Sequence, residues 1–206
     1  MLHDKTGDLS TPQRGPDVIE VFEGVDLAHH EFERILRQVG PNQWNLPTAC
    51  TKWSVYQVAN HVVAAGMMFT ACLQGCSKDV AVELVEAVDV LQPDPVTAFT
   101  DQVRALRKEF ESSGALDRIC HHAVADMKGI HLLRARVFDV TLHAWDIAHA
   151  ISADEQLDLR LTALALKLYE PFAAPLVASG HAAPSIEISP GAPVQARLIA
   201  LSGRRP

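Results

Sequence analysis

Apolar residues recur at three- and four-residue intervals along most of the chain, the spacing that places them on one face of an α-helix. The first such run begins at Asp17 and ends at Gly40. The second follows Ser54, a good N-cap residue with which Gln57 completes a capping box. We expect this second helix to end near Leu73.

The middle of the chain continues the same pattern. A third amphipathic helix is predicted from Val96 to Phe110. A fourth follows Gly129 and keeps its apolar spacing over six turns to Ile151. The segment 78–92 fits either a helix or an extended piece.

Prolines interrupt the C-terminal part of the chain. A fifth helix from about Asp158 is expected to be disturbed at Pro171 and Pro175, because proline inside a helix removes a backbone hydrogen bond. Residues 186–188 are predicted as a short strand, and a short helix follows Pro193. Strands are otherwise almost absent, so the predicted fold class is all-α, a four-helix bundle with an additional C-terminal helix and a short tail.

The 206-residue length suits one domain of this kind. Residues 1–16 are polar and aperiodic, and we expect a flexible leader there. Residues 17–206 are predicted to form a single helical, metal-binding domain, whose tail starts at about residue 181. The reasons for expecting a metal come from the histidines and acids considered below.

Composition excludes several partners. The chain has 18 Lys+Arg against 25 Asp+Glu, and no basic run that would bind a phosphate backbone. The longest apolar stretch, Val62–Phe69, is shorter than the roughly 18–20 residues that span a bilayer. The N-terminus MLHDKTGDLS lacks the order of a signal peptide. We therefore expect a cytoplasmic protein with reduced cysteines, and neither a nucleic-acid nor a membrane partner.

Ten histidines are the unusual feature of the composition. A carboxylate four residues before a histidine shares its helix face, with Cβ atoms roughly 5–6 Å apart, so both can bind one cation. The same spacing also fits a solvated ion pair. Three such pairs occur: Asp26/His30, Asp117/His121 and Asp139/His143.

The third pair has a distinct context. Asp139 and His143 belong to a polar stripe with Arg136 and Asp146, beside the apolar face of the fourth helix. Bundle metal sites are built from side chains that project toward facing helices. His61, on the apolar stripe of the second helix, is the best third ligand, although a core histidine with one partner explains it too. Two imidazoles and one carboxylate suit Zn²⁺ and leave one coordination position open.

A second metal set is available in principle. Cys72 and Cys76 are spaced i, i+4 and could join His121 and His122. Cys72 lies eleven residues after His61, roughly 16 Å along a helix, so these two cannot share an ion. Buried free cysteine is the alternative interpretation. A GxSxG motif, a glycine-rich phosphate loop and a dinucleotide fingerprint are all absent from the sequence.

Two segments make the chain recognisable: PTACTKWSVYQVANHVVAAG (47–66) and RVFDVTLHAWDIAHAIS (136–152). They resemble the signature segments of the DinB-like metalloenzyme superfamily, specifically the mycothiol-dependent maleylpyruvate isomerase N-terminal domain group. That group has a TPC-x-x-W-(S/T)-V entry into helix two, then a histidine, and an (E/D)-x-x-x-H-x-W-D-L-A run later. The tail APVQARLIALSGRRP (192–206) resembles the ending of a compact branch without the separate C-terminal domain.

The resemblance implies a DinB-like four-helix bundle that holds a metal through His61, Asp139 and His143. Zinc is the usual ion, with nickel or iron as alternatives. In the characterised relatives a low-molecular-weight thiol such as mycothiol is thought to coordinate the metal as cosubstrate. Asp139 stands where the isomerase has glutamate, and the isomerase has a further C-terminal domain at its active site. Both departures argue against maleylpyruvate isomerisation itself.

We therefore expect a metal-dependent enzyme that uses a small-molecule thiol and an electrophile, for S-transfer or isomerisation. Two alternatives stay open: a non-catalytic bundle in which the same residues form a buried polar network, and a zinc-water hydrolase. Asp146 either orients a ligating imidazole or is a helix-surface acid. A homodimer is one oligomeric state that the sequence leaves open.

Overall fold

The computed structural model describes residues 18–87 and 89–206, and the leader predicted for residues 1–16 lies outside them. Over this range the chain forms helices and one small antiparallel hairpin, which confirms the all-α class. The helices are α1 (Val18–Leu36), α2 (Val55–Leu73), α3 (Lys78–Val85), α4 (Pro95–Phe110), α5 (Gly129–Ile151), α6 (Leu159–Ala178) and α7 (Val194–Leu201). The hairpin pairs β1 (Ile119–His121) with β2 (Asp126–Lys128).

Helix α5 lies at the centre of the bundle. It packs against α1 and α2 on one side and against α6 on the other, while α4 contacts both α1 and α2. Helix α7 packs on α6. The apolar stripe of α5 is buried, including Val137, Val140, Ala144 and Ile147 at 0 % exposure. The four helices α1, α2, α4 and α5 form the predicted bundle, and α6 and α7 are the C-terminal addition.

The start of α2 follows the predicted capping box. The Ser54 hydroxyl accepts the backbone N–H of Gln57, and the Gln57 side-chain oxygen accepts the backbone N–H of Ser54. The preceding loop is also hydrogen-bonded, with Val55 N–H donating to the Leu46 carbonyl at 3.0 Å. These bonds fix where Trp53 stands relative to the first turns of α2.

Some local predictions differ from the structure. The ambiguous segment 78–92 is helical only over α3, and the hairpin of three-residue strands is a feature the sequence pattern does not predict. Residues 186–188 do not form a strand; instead the Ile186 N–H donates to the Ala200 carbonyl of α7 at 2.8 Å. That prediction was wrong because the backbone partner of this extended piece is a helix end.

Helix α6 continues through Pro171 and Pro175. Both prolines and Lys167 are exposed, so the two carbonyls that lose an N–H partner, at positions 167 and 171, face water. Among the described helices, α6 alone is long and apolar enough to cross a membrane by length and composition. Buried core helices pass the same test, and α6 packs against α1, α5 and α7.

A buried cation joins the four bundle helices. Arg136 of α5 is 0 % exposed and donates Nε to His29 Nε2 of α1 at 3.1 Å. Its other two nitrogens donate to the Val62 carbonyl of α2 at 2.9 Å and to Gln102 Oε1 of α4 at 3.0 Å. Because an unpaired buried charge is costly, these three acceptors fix the positions of their helices around α5.

The protonation states in this cluster follow from burial. Burial lowers the pKa of Arg136 to about 10, so its guanidinium is still charged at neutral pH. Burial, followed by the charges of Arg136 and Arg107, holds the pKa of His29 well below 6.5. The neutral His29 imidazole can therefore act as the acceptor that Arg136 requires.

The buried neutral His29 predicts an acid-sensitive fold. As the pH falls below about 6.5, the unfolded chain protonates this histidine and the folded chain does not, so the free energy of unfolding decreases. In His29→Gln the amide oxygen can still accept from Arg136 but does not titrate, and the decrease should be smaller. Urea unfolding at several pH values between about 7.5 and 4.5 measures the difference. The exposed His30→Gln is the control, and parallel curves for wild type and His29→Gln would contradict the assignment.

Candidate metal centre

The three residues predicted as ligands lie together where α2 faces α5. His61 Nε2 is 3.6 Å from Asp139 Oδ1, and His143 Nε2 is also 3.6 Å from that oxygen. One ligand atom from each residue lies within 4.8 Å of the others. Asp139 and His143 share a face because they are one helical turn apart on α5.

The donor set fits a divalent cation. Neighbouring ligand atoms of a tetrahedral zinc site, with bonds of about 2.0–2.1 Å, lie about 3.4 Å apart, close to the separations seen here. The second carboxylate oxygen, Asp139 Oδ2, is buried and has no hydrogen-bond partner in the described part of the chain. This oxygen lies 3.9 Å from Arg136 Nη1, whereas Oδ1 is the oxygen that faces both imidazoles and would bind the cation.

The centre is accessible from one side. The side chains of His61 and Asp139 are each 22 % exposed, whereas that of His143 is 8 % exposed. The Trp53 ring forms one wall, with its centroid 4.6 Å from the His61 ring and 5.8 Å from the His143 ring. The arrangement thus leaves an approach for a small molecule beside an aromatic surface.

A chain of hydrogen bonds orients His143. Its Nδ1 lies 2.9 Å from Asp146 Oδ2, and Asp146 is fully buried. The Arg204 fork donates Nε to Asp146 Oδ1 at 2.7 Å and Nη2 to Oδ2 at 2.8 Å. With its Nδ1–H donated to this carboxylate, His143 presents the lone pair of Nε2 toward Asp139. Asp146 is therefore not a helix-surface acid.

Both acids of the centre are ionised at neutral pH. Burial by itself raises the pKa of Asp139, but the His61 contact, the charge that His143 carries when protonated and the charge of Arg136 hold that pKa below its ordinary value. Burial likewise opposes ionisation of Asp146, and its bonds to His143 and Arg204 outweigh the effect and lower its pKa. A negatively charged Asp139 is the form that binds a metal.

The other two aspartate–histidine pairs do not form such a cluster within the described residues. Asp26 makes an ion pair with Arg107 rather than with His30. His121 Nδ1 contacts Asp126 Oδ1 at 3.0 Å, and both side chains are about half exposed. The ion pairs that the spacing also allowed do not form either, because Asp26, His121 and Asp117 make surface contacts with other partners.

The cysteine alternative is not supported by the positions of the side chains in the described part of the chain. All four cysteines are free. Cys72 is buried and its thiol donates to the His121 carbonyl at 3.6 Å. Burial and the neighbouring Cys76 raise the pKa of Cys72 to about 12. Among the described residues, ligand atoms of histidines, cysteines and acids converge only at His61, Asp139 and His143.

Sequence reasoning missed three residues of this region. Arg204 lies in the tail, 58 positions after Asp146, and no spacing rule connects them. Trp53 stands inside the recognised motif, but the motif itself does not say which side chain it covers. Arg136 was seen in the polar stripe of α5 without a role; a lone arginine beside a buried helix face was the available signal.

Comparisons with known proteins agree with the sequence resemblance. A family model described as mycothiol maleylpyruvate isomerase N-terminal domain matches residues 25–148. The chain is 25% identical over 136 residues to the uncharacterized protein Rv0738 of Mycobacterium tuberculosis strain H37Rv, covering 65% of this chain and 69% of that protein. The uncharacterized protein MT0763 of strain CDC 1551 matches to the same extent. No solved structure matches significantly.

The matched range contains His61, Asp139, His143 and Asp146, whereas Arg204 lies beyond its end. The range covers more than half of the chain, and it includes the segment 47–66 and residues 136–148 of the second segment that carries the resemblance. The chain therefore belongs to the mycothiol maleylpyruvate isomerase N-terminal domain family, a mycothiol-related, DinB-like group of helical domains.

Proposed function

We propose that the protein is a metal-dependent enzyme that uses mycothiol, or a similar low-molecular-weight thiol, to modify a small electrophile. The observation that supports this most strongly is the meeting of two imidazole nitrogens and one carboxylate oxygen, Asp139 Oδ1, which lies 3.6 Å from each nitrogen. Family membership supports the thiol. Three protein ligands leave a coordination position open, as catalytic rather than structural zinc sites do.

His61, Asp139 and His143 would hold the ion, which we take to be zinc, with nickel or iron as alternatives. A divalent ion bound there would supply a Lewis acid that stabilises the thiolate form of the cosubstrate. The thiolate sulfur forms a bond to an electrophilic carbon, and the leaving group departs with its electron pair. In isomerisation it would add to a double bond, and the same sulfur would leave after rotation.

The protein side chains have distinct tasks in this proposal. Asp146 accepts the Nδ1–H of His143 and so holds the ring with Nε2 facing the ion. Arg204 holds Asp146 by two hydrogen bonds. Trp53 covers one side of the centre and limits the access of water there. We place this chemistry in the cytoplasm, with small molecules as the partners, and without nucleic acid or membrane.

Metal-dependent thiol binding tests the proposal. Protein stripped with a chelator and reloaded should hold about one zinc per chain, and mycothiol should bind only to the loaded form, as measured by calorimetry. His61→Ala and His143→Ala should weaken zinc binding by more than about 100-fold, beyond the loss typical of an outer partner. His149→Ala, an exposed histidine on the same helix that pairs with Glu155, is the matched control.

Three other results of the zinc and mycothiol measurements would contradict or replace the proposal. A reloaded wild type without zinc would overturn it. Zinc binding with mycothiol affinity unchanged by the metal would remove the thiol and leave a metal-binding bundle. Turnover of an ester or amide by the loaded protein without any thiol would replace the proposal with a zinc-water hydrolase.

The bonds of Arg204 predict that the C-terminal segment contributes to metal affinity. Arg204→Ala should weaken zinc binding about 10- to 100-fold without loss of helical circular dichroism, because Asp146 loses two of its donors. The zinc affinity of Arg204→Lys should lie between those of wild type and Arg204→Ala, since an ammonium cannot bond both carboxylate oxygens as the guanidinium does. The exposed neighbour Arg205→Ala serves as control in the same chelator competition titration. Wild-type affinity in Arg204→Ala would contradict the role.

A further inference from the structure

The buried charge of Arg136 is compensated in an unusual way. Its three hydrogen bonds all go to uncharged acceptors, namely the His29 imidazole, the Val62 carbonyl and the Gln102 amide. The nearest carboxylate oxygen is Asp139 Oδ2, at 3.9 Å from Nη1, which is an ion-pair distance but not a hydrogen bond. The guanidinium is therefore solvated by neutral dipoles, which do not cancel its positive charge. That charge lies 3.9 Å from a carboxylate of the candidate centre.

The charges around the centre cancel before any ion binds. Asp139 contributes one negative charge and Arg136 one positive charge. Asp146 and Arg204 form a second, closely bonded pair of opposite sign. The sum of these four side chains is zero, so a divalent ion would raise the local charge to +2. Because Arg136, Asp146 and His143 are buried, water screens such an excess only in part, and an anionic ligand reduces it where a neutral ligand does not.

We propose that Arg136 is a positioning residue that makes the centre select an anionic exogenous ligand: its fixed charge opposes the divalent ion and favours a monoanion, such as a thiolate, at the open position. This inference rests on the proposed function and deepens it. It attributes the preferred charge of the exogenous ligand to Arg136, which does not itself bind the metal. The acceptors from α1, α2 and α4 keep the guanidinium in place, so its charge acts permanently.

An electrostatic role of Arg136 and a merely structural one predict different changes in metal and anion affinity. Removing the charge should strengthen binding of the divalent ion and weaken binding of an anion to the loaded centre, so the two affinities move in opposite directions. Loss of a structural residue would weaken both. A neutral ligand should respond little in the electrostatic case, because it does not change the net charge of the centre.

Two variants cancel the charge of Arg136, one by deleting it and the other by placing an opposite charge beside it. Arg136→Met deletes it directly. His29→Glu places a carboxylate against Arg136 Nε, which His29 accepts at 3.1 Å, whereas Asp139 lies beside Nη1. His29→Gln is the matched control, because its neutral oxygen replaces the acceptor and leaves the charge unopposed. If Arg136→Met does not fold, His29→Glu decides the question.

The experiment uses cobalt(II), whose visible absorption reports ligand changes, with thiocyanate as the anionic probe and imidazole as the neutral one. We expect both charge-removing variants to bind cobalt about tenfold more tightly and thiocyanate about tenfold more weakly, with imidazole unchanged. His29→Gln should match wild type. Cobalt and thiocyanate affinities that fall together, or that stay at wild-type values, would overturn the inference. A wild type that binds no cobalt would instead count against the proposed function itself.

Discussion

A guanidinium without contact to water constrains the centre of this protein. Arg136 obtains one acceptor from each of three helices, so the buried charge links α1, α2 and α4 to α5. Arg136 itself and one of its acceptors, Val62, adjoin the candidate centre. Val62, whose carbonyl accepts from Arg136, directly follows His61, and Arg136 lies one turn before Asp139 on α5. The interaction that solvates the buried charge therefore lies directly beside His61 and Asp139.

The two histidines of the centre are held by different means. His143 belongs to a chain that runs through Asp146 to Arg204, which begins at a bundle helix and ends beyond α7. His61 packs against the Trp53 ring, whose position follows from the capped start of α2. Asp139 is one methylene shorter than the glutamate that the resemblance leads one to expect, yet its Oδ1 is equally distant from both imidazoles. Helices α2 and α5 are therefore close enough for the shorter side chain to reach both imidazoles.

Sequence periodicity was sufficient to predict the features that depend on the spacing of residues along a helix. The helices, the Ser54 capping box and the nearness of Asp139 to His143 all follow from local spacing. The dependence of Asp146 on Arg204 does not, because it joins positions 58 residues apart in the chain. The extended piece at 186–188 was mistaken for a strand because an alternating apolar pattern does not show whether its backbone partner is a strand or the end of α7.

The most direct test of the account is X-ray absorption at the zinc edge of reloaded protein, before and after mycothiol is added. We predict a first coordination sphere of imidazole nitrogen and carboxylate oxygen without sulfur, and then one sulfur at about 2.3 Å once the thiol is present. Sulfur in the thiol-free sample would assign the ion to cysteines and contradict the account. A sphere without imidazole, or one unchanged by mycothiol, would contradict it as well.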